Sequence, residues 1–502
     1  MNARNELPRL WRVPSWAPAA LAAASLVLLA NLSACTTAPV RGLNTPGQAA
    51  LLLPETWAGD TSEPARSGPL ATPPVHEAWP RPWWPAFADP MLSVLVEQTL
   101  AANTSLHGAR AALLQAQAQR DLAAAALWPR LDASASAQRG RAGGESTGQR
   151  LQLGMDGRWQ PDVFGATRSA VHAADATALA SAASLTALQL QLGTELALNY
   201  VLLRAAQARL RIAEGNLASQ RQTLQITDWR VQAGLVSSLE AAQARAGGEQ
   251  TAALLPALRS SIARSSHALA VLSGRPPAEL LQALAIPGAL PQLSLEAEAG
   301  SLNWRIPAET LRQRADVRAA EYRITAALAQ LGRADALRRW PNFSISGSLG
   351  LSAAGLSGLG RSSAVLSSLL AGIALPVFDG GAARAEVALQ QAGLLQAQQQ
   401  YRAAVLAALQ EVEDALSNLQ GDRQRVASLQ RASVAAVQAA TWAQQRYRSG
   451  LVDFQTVLET QRNQLAAQDG LAGAGADVSA DQLRLIRALG GGWREPIEEM
   501  KP

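Results

Sequence analysis

Hydrophobic and polar positions alternate with a period of two in two parts of the chain. Over 342–352, Phe343, Ile345, Gly347, Leu349 and Leu351 alternate with Ser344, Ser346, Ser348, Gly350 and Ser352. Over 151–160, Leu151, Leu153, Met155, Gly157 and Trp159 alternate with Gln152, Gly154, Asp156, Arg158 and Gln160. Segment 131–138 sets Leu131 and three alanines against Asp132, Ser134, Ser136 and Gln138, and 368–377 sets Ile373, Leu375 and Val377 against Ser368, Gly372 and Ala374. Period two predicts strands with one apolar and one polar face. Segments of about ten residues suit tilted strands that cross a bilayer, and a soluble sandwich would show the same alternation.

The strand pairs are copies of one another. The first opens at Trp128-Pro129 and closes at Pro161-Asp162-Val163-Phe164-Gly165; the second opens at Trp340-Pro341, 212 residues later, and closes at Pro376-Val377-Phe378-Asp379-Gly380. Long helical patterns flank them. Leu196, Leu203, Leu210, Leu217, Leu224 and Val231 recur at intervals of seven, and Val405, Leu409, Val412, Leu416, Leu419 and Val426 follow a heptad seam. Sustained heptads predict coiled-coil packing. About 64 residues of helix give a rod on the order of 95 Å. Each rod ends in a short break, Arg230-Val231-Gln232-Ala233-Gly234-Leu235 or Arg446-Tyr447-Arg448-Ser449-Gly450-Leu451, before helical pattern resumes. Gly234 and Gly450 therefore read as the tips of two helical hairpins.

The predicted organisation is a signal peptide at 1–34, an extended tether at 35–86, a first repeat at 87–285 with strands within 129–161 and a tip near 234, a linker at 286–306, a second repeat at 307–490 with strands within 341–377 and a tip near 450, and a mobile tail at 491–502. Asp89-Pro90 opens a helix expected to run to Leu127, with Asp89 as its N-cap. The leader carries Arg4, Arg9 and Arg12, an apolar run from Ala17 to Ala30, and then Leu32-Ser33-Ala34-Cys35. That layout predicts cleavage before Cys35, the only cysteine, and acylation of it with S-diacylglycerol and an N-acyl chain. Thr36 stands where bacterial lipoproteins retained at the inner membrane carry Asp, which points to the outer membrane.

Net charge is +5, and Lys501 is the only lysine. The arginines are scattered among alanine and glutamine rather than gathered with aromatics, which argues against nucleic acid. His76, His107, His172 and His267 lie far apart, and no serine sits in a nucleophile-elbow context. Neither an enzyme, nor a metal centre, nor a cofactor is expected. The candidate site residues are carboxylates at the tips: Asp228 and Glu240 at the first, Asp453 and Glu459 at the second. Each reads either as an ordinary solvated charge at a helix start or, in a symmetric oligomer, as one member of an ion-selecting ring.

Taken together, the chain resembles the outer-membrane efflux channel family of TolC and OprM, in its lipoprotein branch. The residues that carry the resemblance are Cys35 with its box, the paired Trp-Pro starts, Trp159-Gln160-Pro161-Asp162-Val163-Phe164-Gly165, Arg314-Ala315-Asp316-Val317-Arg318-Ala319-Ala320-Glu321, and Gly450-Leu451-Val452-Asp453-Phe454-Gln455-Thr456-Val457-Leu458-Glu459-Thr460-Gln461-Arg462. Ala315 stands where the family often has proline, Gln455 where it has leucine, and Glu459 where it has aspartate. The resemblance implies a mainly α fold with a membrane β-barrel portion: long coiled-coil hairpins and four transmembrane strands per chain. It further implies a homotrimer with a 12-stranded barrel and a periplasmic α-barrel, anchored in the bacterial outer membrane and reaching into the periplasm.

The residues alone agree in part, because four strands cannot close a barrel in lipid and at least two chains must share one. The implied function is a passive exit duct for small toxic compounds, serving a periplasmic adaptor and an inner-membrane pump. A protein-secretion duct and a structural or adaptor lipoprotein are the alternatives. The resemblance places gate-facing positions near Thr456 and Glu459, with Asp453 one turn closer to the tip.

Overall fold

The computed structural model describes residues 82–140, 148–293, 311, 313–338, 341–356, 359 and 361–491. All of them lie in one compact unit, Leu53–Pro502. The leader, Cys35, most of the tether, the loop at 141–147 and the tail from 492 fall outside the described residues. Of the tether's tryptophans, Trp83 and Trp84 are described and buried, each meeting its aromatic neighbour edge-on: Trp83 lies 5.7 Å from Trp84 and 6.0 Å from Phe87.

Helix α1 spans Pro90–Ala102, and Asp89 caps it by accepting from the Met91 and Leu92 amides at 2.9 and 3.0 Å. The expected single helix to Leu127 is in fact two. Asn103 leaves the helical region, ends α1, and caps α2, Thr104–Ala125, through bonds from Ser105 and Leu106. Asparagine competes for backbone donors in this way wherever an extended conformation is open to it.

The two rods are equal in length. Helix α3 spans Ala166–Gln232 and α8 spans Ala382–Arg448, 67 residues each, or about 100 Å. Each starts from an aspartate in the strand-to-helix turn. Asp162 accepts from the Thr167 and Arg168 amides, and Asp379 from those of Gly381 and Ala383. The return arms differ. In the second hairpin α9 runs unbroken from Phe454 to Ala488. In the first the arm splits into α4, Ser238–Ala252, and α5, Leu254–Leu272. Pro256 is the cause: it brings no amide hydrogen for the Ala252 carbonyl, and its ring crowds that oxygen. A short α6, Leu281–Leu284, interrupts the region after α5, and α7 spans Ala315–Arg338.

Leu196, Leu203 and Leu217 of the first seam, and Val405, Val412 and Leu419 of the second, are buried. Helix α7 packs against α3, and the buried residues of both are largely alanine: Ala173, Ala176, Ala180 and Ala183 in the first turns of α3, and Ala319, Ala320, Ala334 and Ala336 beside Val317 and Ile324 in α7. Small side chains let helix axes approach closely, which suits an alanine-rich chain.

Strands β1, Arg130–Gly140, β2, Gly148–Trp159, β3, Asn342–Ala353, and β4, Val365–Ala374, form one antiparallel sheet in chain order. β2 pairs with β3 across the duplication, Met155 opposite Leu349 and Trp159 opposite Ile345. The register gathers Leu131, Leu151, Leu153, Met155, Phe343, Ile345, Leu349, Leu351, Leu369 and Ile373 on one face, with no charged residue in the rows from Leu131 to Ala137. One row across all four strands reads Leu131, Gly157, Gly347, Leu369. The glycines leave room for the leucines: a Cβ on Gly157 would sit 3.1 Å from Leu131 Cδ2. The opposite face carries Asp132, Ser134, Asp156, Arg158, Ser346 and Ser348, as expected, but also Leu366 and Leu370. β4 stops at Ala374, short of the expected end at 377, because Pro376 cannot donate to the ladder. β1 and β4 are the two edges.

Candidate functional site

Both hairpin tips are built by the same turn. Gly234 and Gly450 hold φ of 70° and 74°, a region that costs a side-chain-bearing residue about 1–2 kcal/mol. In each, the glycine amide bonds back three residues, to Val231 or Tyr447, and the next leucine amide bonds back five, to Arg230 or Arg446. This closing pattern satisfies the last carbonyls of α3 and α8. It leaves Leu235 and Leu451 exposed at the tips.

The candidate carboxylates are used unequally. Asp453 is the N-cap of α9, and its Oδ1 accepts from the Thr456 amide at 2.9 Å and the Thr456 hydroxyl at 2.5 Å. The Thr456 hydroxyl and then its amide hold the Asp453 carboxyl below its ordinary pKa. Glu459, two turns into α9, is exposed, and Gln455 and Arg462 are exposed beside it. Glu240 is half-buried and accepts from the Tyr447 hydroxyl at 3.3 Å. Asp228 is half-buried on α3. The four therefore do not converge as one cluster within a chain.

Tyr447 joins the two hairpins. It is 3% exposed and packs edge-on against Phe454 at 5.7 Å, with Ala244, Ala443, Val457 and Leu458 around it. Its hydroxyl bonds to Glu240 of α4 and lies 3.5 Å from the Thr227 hydroxyl of α3. Arg230 of α3 donates to the Tyr447 carbonyl at 2.9 Å and sets its guanidinium 4.6 Å from the ring centroid. Tyr447 and Arg230 are not among the carboxylates expected at the tips from the sequence. The signal was present, since Tyr447 occupies in the second tip the place that Val231 holds in the first.

Further from the tip, polar pairs tie α3 to α9 at regular intervals. Gln461 donates to Thr223 at 3.0 Å, Asn216 to Gln468 at 2.8 Å, and Arg209 grips Asp469 through two bonds of 2.6 and 2.8 Å. These bonds and the Tyr447 cluster join the second hairpin to the first. Among the described residues, no group of His, Cys, Asp and Glu is placed to hold a metal ion, and no helix is long and apolar enough to cross a membrane.

Comparison with known proteins is consistent across sequence and structure. The family model described as outer membrane efflux protein matches residues 95–275 and 306–491. The pyoverdine export outer membrane protein OpmQ of Pseudomonas putida is 31% identical over 484 residues, covering 93% of this chain and 97% of that protein. Nodulation protein T of Rhizobium leguminosarum bv. viciae is 31% identical over 418 residues, covering 82% and 85%. The solved structure of the outer-membrane channel OprN superposes with a TM-score of 0.76 at 35% identity, covering 85% of this chain and 99% of that one.

Proposed function

Because this chain belongs to the outer membrane efflux protein family, we propose that three copies, four strands each, close one twelve-stranded barrel. The chain is an outer-membrane efflux channel. The observation that supports shared closure is the sheet itself: a four-stranded antiparallel sheet with two free edges and one bare apolar face. Neither open edges nor unpaired backbone groups are tolerated in hydrocarbon. Pairing β4 of one copy with β1 of the next removes every edge. The face with Ser346, Ser348, Asp132 and Asp156 then lines the lumen.

The duct serves a tripartite pump, with the tips facing a periplasmic adaptor and an inner-membrane transporter. The 67-residue rods carry Gly234 and Gly450 about 100 Å from the strands. The exposed Leu235 and Leu451 give the adaptor an apolar foothold. One relative is named for pyoverdine export, and the cargo proposed here is likewise small molecules. Cys35 carries the lipid anchor. Intact mass spectrometry of membrane-extracted protein is expected to show loss of residues 1–34 and added acyl mass; an unmodified Cys35 in a chain that starts elsewhere would refute the anchor.

At the closed end, Glu459 supplies the charged ring. Asp453, though exposed, is committed to its cap, and Glu240 to Tyr447, which leaves Glu459 as the exposed carboxylate of the second tip that caps no helix. Three copies around an axis attract cations and divalent blockers. In planar bilayers, Glu459→Gln is expected to lower cation selectivity and weaken divalent block from the tip side, while Asp453→Asn, whose amide oxygen still caps the helix, leaves both near wild type. Unchanged selectivity and block in Glu459→Gln would move the constriction to other residues.

A further inference from the structure

Helices α8 and α9 run antiparallel from the Gly450 turn, so a step back along α8 matches a step forward along α9. Arg425 of α8 meets Asp477 of α9 at 3.1 Å. One turn further from the tip on each helix, the same spacing brings Asp422 beside Asp481. Asp422 lies 3.6 Å from Arg425 and is partly exposed. Asp481 is not: its side chain is 1% exposed. Its Oδ1 accepts from Arg484 at 2.6 Å. Its Oδ2 is buried with no donor. The neighbouring residue, Gln482, exchanges two hydrogen bonds with the backbone of Leu293, which docks against this turn of α9.

A buried carboxylate oxygen without a donor is costly, and a second carboxylate facing it adds repulsion. One proton removes both problems, because a protonated carboxyl is a donor as well as an acceptor. We propose that Asp422 and Asp481 form an acid–carboxylate pair that binds one proton between α8 and α9. This site is separate from the tip and does not depend on the efflux reading. It lies roughly 27 residues along α9, on the order of 40 Å from the turn.

The charges that act on Asp481 are Arg484 from its own helix and Asp422 from α8, with Arg425 and Asp477 completing the cluster. Burial pushes the Asp481 carboxyl upward, Arg484 opposes it, and Asp422 reinforces it. The folded chain therefore holds the proton more tightly than the unfolded chain. The brace is complete below the ordinary aspartate value of 3.8, and is lost as pH rises through the higher folded value. Acid tightens the arms of the second hairpin; alkali loosens them.

The test uses the full chain in detergent. Infrared titration of the wild type is expected to show a protonated carboxylic C=O band that outlasts the bulk carboxyls as pH rises, and Asp481→Asn should remove it. Amide hydrogen exchange over 418–426 and 477–485, corrected for intrinsic rates, should accelerate in the wild type as pH rises above the ordinary aspartate value of 3.8 and through the higher folded value. In Asp481→Asn and in Asp422→Asn that acceleration is lost, because the asparagine amide donates at every pH. Asp422→Asn reads the same pair from its partly exposed side without altering the buried residue. A wild type without the late-titrating band, or pH-dependent exchange that persists in both variants, overturns the proposal.

Discussion

Arg314→Ala is expected to cost about 3 kcal/mol of stability, at the lower end of what removing one partner of a buried ion pair costs. The guanidinium is 7% exposed and every face of it is used. It grips Asp316 through bonds of 3.1 and 2.7 Å, reaches Glu411 of α8 at 2.8 Å, and donates to the Ala488 carbonyl at the end of α9 at 2.8 Å. It thus pins the start of α7 to both arms of the second hairpin. Alanine leaves a carbonyl and two carboxylates without their donor, and those carboxylates are partly exposed, which limits the loss.

Asp316 should titrate with this network. Burial works against its charge, but the Arg314 hydrogen bonds and charge outweigh that and hold its carboxyl below the ordinary value. Its contribution is therefore present at neutral pH and is lost as pH falls below 3.8 through the lower folded value. Guanidinium unfolding followed by helical circular dichroism checks both points. An unfolding free energy for Arg314→Ala within about 0.5 kcal/mol of wild type would show that the fork is dispensable.

The second large effect is functional. Tyr447→Phe combined with Arg230→Ser is expected to open the tip. The first substitution removes the bond to Glu240, and the second removes the bond to the Tyr447 carbonyl together with the guanidinium stacked on the ring. Bonds that involve a charged partner contribute about 1.5–3 kcal/mol each before relaxation. A combined loss of about 3 kcal/mol per chain shifts a closed-to-open ratio by about 100-fold. Phe454, Val457 and Leu458 still pack around the phenylalanine ring, so the hairpins stay folded. Single-channel recording should show larger and longer openings than wild type. Openings of wild-type size and duration would show that the Tyr447 cluster does not control the tip.

Much of this architecture was legible because its two periods differ so plainly. Alternation marked the strands, and heptads at Leu196, Leu203 and Leu217 marked rods too long for a globule. Duplication then located the matching turns at Gly234 and Gly450. The breaks at Asn103 and before Pro256, and the end of β4 before Pro376, had visible local signals that were outweighed by the longer pattern. Leu366 and Leu370 sit on the polar face because the register of β4 is set by pairing with β3, which alternation within a short segment does not determine. The site was less legible still. Arg230 and Tyr447 are 217 residues apart, and Arg209 and Asp469 are 260 apart. Such pairs follow from how two copies of a hairpin pack together, not from the sequence around either residue. Asp453 and Glu459 looked alike as helix-start charges until the cap geometry separated them.

The account depends most on several chains sharing one barrel, and native mass spectrometry of the detergent-extracted protein tests that directly. Three chains in one particle are predicted, the number that turns four strands with two free edges into a closed wall of twelve. A stable particle of one chain would leave β1 and β4 unpaired in lipid and would contradict the account.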